Sequence, residues 1–328
     1  MTYTAPGKAY RQGISLPEFA RMFPDEAAAR HWFETHLWPD GEPVCPHCGG
    51  VDKVCRVKSE KPMPYRCADC KRYFSVKTGT VMASSPLPLL TWLYAIYLDL
   101  TSLKGVSSMK LHRDLNIRQA TAWHMLQRIR EAFAHEGPEV RFDGPAEVDE
   151  TYIGGLRKNM PKHKREQLEG RGPVGKTAVV GVKDRETKQV AARVVHRTDG
   201  ETLQGFIREH VEAGAEIFTD DASAYDGLTD FEHETVRHSV GEYVAGKVHT
   251  NSIESFWSML KRAHKGIFHK LSPKHLQRYV NEFAGRQNIR ELDTLDQMVA
   301  VTVGMAGKRL KYRDLIADNG LPSGARSA

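Results

Sequence analysis

The chain has 328 residues, enough for about two domains, and 40% of them are hydrophobic, enough for a real core. A formal charge of +6 and a pI near 9.0 favour a polyanionic partner, although so modest an excess matters less than where it sits. No run of about 18 apolar residues is present, which argues against a transmembrane helix, and Met1 to Arg11 lack the apolar core of a signal peptide, so a cytoplasmic chain is expected.

In chain order, residues 15–38 read as helical, with Ser15 and Asp25 as N-caps and Phe19, Phe23, Trp32, Phe33 and Leu37 supplying apolar faces. Residues 41–76 form a small module punctuated by Cys, Pro and Gly. Cys45-Pro46-His47-Cys48 and Cys67-Ala68-Asp69-Cys70 are separated by 18 residues, the spacing of two zinc knuckles. Two tight turns that each present two thiolates supply a closed tetrahedron, so this zinc is structural rather than catalytic. His47 reads as a bystander and Cys55 as a small packing residue. Arg56, Lys58, Lys61, Arg66, Lys71 and Arg72 surround the knuckles, as a surface that docks on phosphate requires.

Residues 89–135 read as three helices. The last two, 105–116 and 118–133, are joined by a short turn at Asn116-Ile117, and Ala122, Met125, Leu126, Ile129 and Phe133 recur at helical spacing. This is a helix-turn-helix candidate. Arg118, Gln119, Thr121 and His124 fall near the start of the second helix, where such motifs meet base edges. An ordinary helical hairpin gives the same pattern. Residues 138–145 look like a linker.

The pattern then changes. Residues 146–153 are strand-like, and a basic loop follows at 154–176. That loop holds Arg157, Lys158, Lys162, Lys164, Arg165, Arg171 and Lys176 against only Glu166 and Glu169, and suits either a grip on backbone phosphates or a solvated loop. Residues 177–183 and 189–195 read as a hairpin turned by Asp184 to Lys188. A helix over 200–213, a short strand over 215–219, and helices over 251–265, 273–288 and 291–304 follow, with a disordered tail from about 318. The fold class is α+β, a mixed sheet flanked by helices. The expected domains are 1–40, N-terminal helices; 41–80, zinc ribbon; 86–136, helix-turn-helix; 146–290, catalytic; and 291–328, C-terminal helix and tail.

Three acids stand out. Asp149 lies in the first strand, Asp220 follows the short strand directly, and Glu254 lies on a helix whose Ile253, Phe256, Trp257 and Leu260 face a core. Glu254, Ser258, Lys261 and Lys265 share a separate face of that helix. Close carboxylates cannot all stay ionised without cations, and hard oxygen ligands suit magnesium or manganese. Asp221 beside Asp220, and Asn251 one turn before Glu254, remain alternatives.

The stretches CPHCGG, CADCKRYFSVKTGTVM, VDETYIGG, FTDDASAY and HTNSIESFWSMLKRAHKG together resemble the ISXO2-like, zinc-ribbon transposases of bacterial insertion sequences. The resemblance implies a ribonuclease-H-like domain with catalytic Asp149, Asp220 and Glu254 holding two Mg²⁺ or Mn²⁺ ions, and Lys261 as the accompanying base. It also implies strand cleavage by water at the element's ends, then attack of the freed 3′-hydroxyl on target DNA. Partners would be duplex DNA, both terminal inverted repeats and target, with a homodimer or higher oligomer on DNA, no membrane, and association with the nucleoid. Two other readings are a DNA-binding regulator with an inert nuclease-like domain, and a tyrosine recombinase using His275, Arg278 and Tyr312.

Overall fold

The computed structural model describes residues 3–4, 11–134, 141–155, 157–166, 168, 172–236 and 250–323; the side chains of Tyr3, Thr4 and Lys164 lie outside that description. The chain divides into two compact units, Met1–Ala134 with Ile289–Ala317, and His135–Asn288 with Asp318–Ala328.

The first unit begins with a short pair, β1 (Tyr3–Thr4) and β2 (Gln12–Gly13). The helical stretch expected over 15–38 is two helices, α1 (Leu16–Met22) and α2 (Glu26–Leu37). Ser15 and Glu18 close a capping box on α1, and Asp25 caps α2 through the amide of Ala28. Pro24 lacks the amide that would continue the first helix. A three-stranded antiparallel ribbon follows: β3 (Val54–Arg56), β4 (Tyr65–Cys67) and β5 (Tyr73–Phe74). Then come α3 (Leu89–Thr101), α4 (Ser108–Leu115) and α5 (Gln119–Glu131). Asn116 ends α4 in the left-handed region at φ 50°, a conformation asparagine tolerates, which gives the tight turn read from the sequence.

The second unit is built on a five-stranded sheet. Its strands are β6 (Ala146–Ile153), β7 (Thr177–Asp184), β8 (Val190–Val195), β9 (Glu216–Asp220) and β10 (Glu232–Val236), in the order β10-β9-β6-β7-β8. β6, β7 and β8 pair antiparallel, whereas β9 runs parallel to β6 and β10 parallel to β9. This is a ribonuclease-H-like sheet. α6 (Lys162–Glu166) lies in the β6–β7 connection, and α7 (Gly200–His210) precedes β9. α8 (Asn251–Ala263) leads into a π-helical turn at His264–Phe268, and α9 (Pro273–Asn288) ends the unit.

Strand alternation sorts the faces. Ala146, Val148, Val180 and Val182 pack with Leu203, Phe206 and Ile207 of α7. On the opposite face, Ile153 and Val179 pack with the apolar stripe of α8 and with α9. β10 was not foreseen. Its sequence, Glu-His-Glu-Thr-Val, carries one buried apolar residue, because an edge strand that presents side chains to water needs no more.

The chain then returns to the first unit. α10 (Thr294–Gly304) sends Met298 and Val301 into the core of α2, α3 and α5, and Met305 follows them. The backbone of Val81 donates to Met305 at 3.1 Å, and Gly307 donates to Gly79 at 2.8 Å. α11 (Tyr312–Ile316) is an additional helix. The segment expected as 291–328 is thus divided between the units. The linker expected over 138–145 falls partly outside the described residues, as does the tail from 324.

Candidate active site and metal centre

In the ribbon, Cys45, Cys48, Cys67 and Cys70 bring one sulfur each within 4.8 Å of the others. Cys45 and Cys70 are 3.6 Å apart, as are Cys48 and Cys67. Backbone amides of Cys70 and Asp69 point at the Cys67 sulfur and draw that thiol down to about 7. Such amides stabilise a thiolate, so the donor set fits one structural zinc ion. Cys55 departs from expectation: it is exposed, in the middle of the three-residue strand β3. Arg56, Lys58, Lys61, Arg66, Lys71 and Arg72 are all exposed around the knuckles.

The acids of the second unit come together through the register. Glu147 faces Phe218 across the β6–β9 pair, so the register continued by two positions sets Asp149 level with Asp220 on the same face of the sheet. That face carries α8. Asp149 is the perturbed group: burial, then the neighbouring carboxylates of Glu150, Asp220 and Glu254, raise it to about 7. Glu150 points to the other face, where the Tyr225 hydroxyl donates to it at 2.7 Å; burial and Asp220 raise it too. Asp220 ends β9 and accepts from the amide of Ala222 at 3.2 Å, while Asp221 is exposed. Glu254 is exposed in the first turn of α8 and accepts from the Thr250 hydroxyl at 3.2 Å. Asn251, Ser258, Lys261 and Lys265 are exposed as well. The three acids form an electrostatic group rather than a closed cage; among the described residues only the cysteines meet the tighter spacing.

What holds α8 over Asp149 was not anticipated. Glu147 is fully buried, and one of its oxygens accepts from the amides of Ser252 and Ile253 at 2.8 and 2.9 Å. Thr250, the N-cap residue, makes no side-chain cap, so the helix is capped by a carboxylate from a different strand. The other Glu147 oxygen pairs with Arg185 at 2.8 Å, and Arg185 lies 3.7 Å over the Phe218 ring. Lys183 donates to the Ser252 carbonyl at 2.9 Å. Gly181 is the register partner of Asp149, and a Cβ there would lie 2.7 Å from the Trp257 ring. The absent side chain lets Trp257 lie on the sheet beside Asp149. Alternation on β6 reveals that Glu147 shares Asp149's face, but nothing in the sequence names its partners.

The expected DNA-reading residues divide. Arg118 and Gln119 are exposed, and the Gln119 amide donates to Ser108 at 2.9 Å. Thr121 and His124 instead face residues 309–312 of the same unit, with His124 at 3.3 Å from the Leu310 carbonyl. In the segment expected as a basic loop, Lys158 and Arg165 are exposed, whereas Arg157 donates to the carbonyls of Leu168 and Arg165 and so braces its own loop. The side chain of Lys164 and all of Arg171 lie outside the described residues. His275 and Arg278 belong to one unit and Tyr312 to the other. No helix among the described residues is long and apolar enough to cross a membrane.

A family model described as an ISXO2-like transposase domain matches residues 141–288, and one described as a transposase zinc-ribbon domain matches residues 24–73. The chain is also 28% identical, over 283 residues, to an uncharacterized protein in transposable element ISH50 of Halobacterium salinarum; the match spans 82% of this chain and 93% of that protein. With its cysteine ribbon and its acid-bearing mixed sheet, the chain is similar to the ISXO2-like transposases over residues 141–288 and to transposase zinc ribbons over residues 24–73.

Proposed function

We propose that the second unit cuts DNA at the ends of an insertion sequence and joins the freed ends to target DNA, with Asp149, Asp220 and Glu254 as its catalytic acids. The observation that carries this reading is the elevation of Asp149 to about 7 by burial and by carboxylates that include Asp220 and Glu254. A protein keeps such repulsion where cations will relieve it. The three carboxylates would hold Mg²⁺ or Mn²⁺. When bound, a pair of such ions supplies charge stabilisation for the attacking and leaving oxygens of phosphoryl transfer.

Water adds to a phosphorus at the element's end, the P–O3′ bond breaks, and the 3′-oxygen leaves as a hydroxyl once protonated. That hydroxyl then displaces a 3′-oxygen from a target phosphodiester. One ester bond forms as one breaks, and no covalent protein–DNA intermediate is involved. Lys261, seven residues after Glu254 on the same exposed face, positions DNA phosphate or a proton. The ribbon and the helix pair α4–α5 hold the terminal repeat, with Arg118 and Gln119 presented outward.

The test is nicking of a duplex carrying the inverted repeats that flank the reading frame, with and without Mg²⁺. Glu254→Gln should abolish nicking and leave repeat binding unchanged, while Lys261→Ala weakens it less. If Asn251→Ala abolishes cleavage and Glu254→Gln cuts at a near-normal rate, Asn251 is the third ligand. Metal-independent nicking, or none under any condition, overturns the enzymatic reading.

A further inference from the structure

The first unit contains a cavity of about 340 Å³ where the middle of α5 meets residues 309–312. Arg128 lines it and is only 9% exposed. Its Nε donates to the Leu310 carbonyl at 3.0 Å, and among the described residues it meets no carboxylate. Arg309 and Lys311, two further cations, line the same space, and no acidic side chain does. Burying a guanidinium without a counter-charge is costly, so the cavity is short of an anion. The lining adds groups suited to a nucleotide. Ser84 supplies a hydroxyl, and Tyr312, 48% exposed, stands edge-on to His124 with 5.4 Å between ring centroids. Three cations and an accessible ring match a phosphodiester with its sugar, and the volume lies in the range of small-ligand sites.

We infer that this cavity is a DNA-backbone site: it takes a phosphodiester of bound DNA between Arg128, Arg309 and Lys311. The inference rests on the reading of the first unit as DNA-binding, and it accounts for Thr121 and His124 facing inward. α5 presents Arg118 and Gln119 to the duplex, and the segment 309–312, far along the chain, completes the grip beside Arg128, about two and a half helical turns further on. The ligand class is a phosphodiester, whose sources are duplex DNA or a free phosphate.

The test uses the full chain in EDTA, so cleavage plays no part. Fluorescence anisotropy with a labelled random duplex is recorded over a salt series. Arg128→Met should fold at least as stably as the parent, since it removes a buried charge that meets no carboxylate, and the Leu310 carbonyl keeps His124 beside it at 3.3 Å. It should weaken DNA binding by about tenfold and flatten the slope of log affinity against log salt by about one. Replacing the exposed Arg309 and the half-buried Lys311 together by alanine should do the same. A second arm adds inorganic phosphate against chloride at matched ionic strength. Protection of the wild type from thermal unfolding by phosphate, lost in Arg128→Met, accompanies the expected result. Variants that bind DNA like the wild type overturn the inference, and if phosphate still protects, the cavity takes small anions only. A wild type that binds no DNA overturns the underlying reading as well, which separates the two failures.

Discussion

Asp149 pays an electrostatic penalty that a purely structural aspartate would shed. Its carboxyl, raised to about 7, is destabilising wherever it must ionise: the folded state binds that proton more tightly than the unfolded chain does. Stability from this group is therefore full below the ordinary aspartate range and is lost as pH rises through about 7. Asp149→Asn in EDTA should raise Tm by about 5 °C at pH above 7, read by calorimetry, and the gap should close as pH falls toward 4. The same variant should not nick. A variant less stable than the parent above neutral pH would show that Asp149 is satisfied as it stands. Glu147 behaves oppositely. It is buried and fully engaged, so Glu147→Ala removes the ion pair with Arg185 and uncaps two α8 amides, at a cost of about 3–5 kcal/mol in denaturant unfolding, while Glu147→Gln costs less. The segment Ala146–Ile153 holds acids at 147, 149 and 150. Alternation assigns them to faces, but which one caps a helix, which accepts a tyrosine and which stays strained depends on β9, α8 and Tyr225, all distant in sequence.

At the scale of elements, most of the architecture was legible because it is encoded locally. Helix caps at Ser15 and Asp25, the period of α8, the strand-like run of β6 and the apolar run of β7 each announce themselves within a dozen residues. The misses share one physical origin. β10 is a polar edge strand, and the reach of Arg157 to its own loop is a tertiary choice no periodicity encodes. The approach of α8 to the sheet is another such choice, and it hangs on Gly181. Gly181→Ala sets a methyl 2.7 Å from the Trp257 ring, so the ring or the helix that carries it must shift beside Asp149. Nicking should fall by about 10²-fold with DNA binding retained, because displacement of a catalytic group by about 1 Å is enough. Gly181→Ala combined with Trp257→Leu should recover part of the rate; no recovery would mean that the helix position is set elsewhere. The ribbon is a second such element. Cys45 and Cys67 are buried in the first unit's core, and Tyr65 donates to Glu34 of α2 at 2.8 Å. Cys67→Ser should therefore lose zinc by metal analysis and destabilise α2 along with the ribbon. Retained zinc with unchanged melting would refute four-sulfur ligation.

At the scale of the whole molecule, the order of the chain is not the order of its folding units. The sheet unit is inserted between α5 and α10, and Ile289–Ala317 completes the first unit. Met298, Val301 and Met305 are at most 2% exposed in a core otherwise built from residues before 134. Each contributes about 1.5–3 kcal/mol when fully buried, so together they rival the net stability of a typical domain. Trp32 donates to Thr302 at 3.3 Å, and Thr80 bridges Ala306, adding polar contacts that the shorter fragment would leave open. A fragment ending at residue 134 thus lacks one wall of its core. Expressed alone it should melt without cooperativity, expose apolar surface to a hydrophobic dye, and bind DNA weakly. A chain that joins residue 134 to residue 289 by a flexible Gly/Ser linker should regain a cooperative transition and zinc-dependent DNA binding without any nuclease activity. Calorimetry on the two proteins decides the point. If the short fragment already unfolds cooperatively with the Tm of the joined one, the return of the chain is not needed to fold the DNA-binding unit, and α10 serves some other purpose.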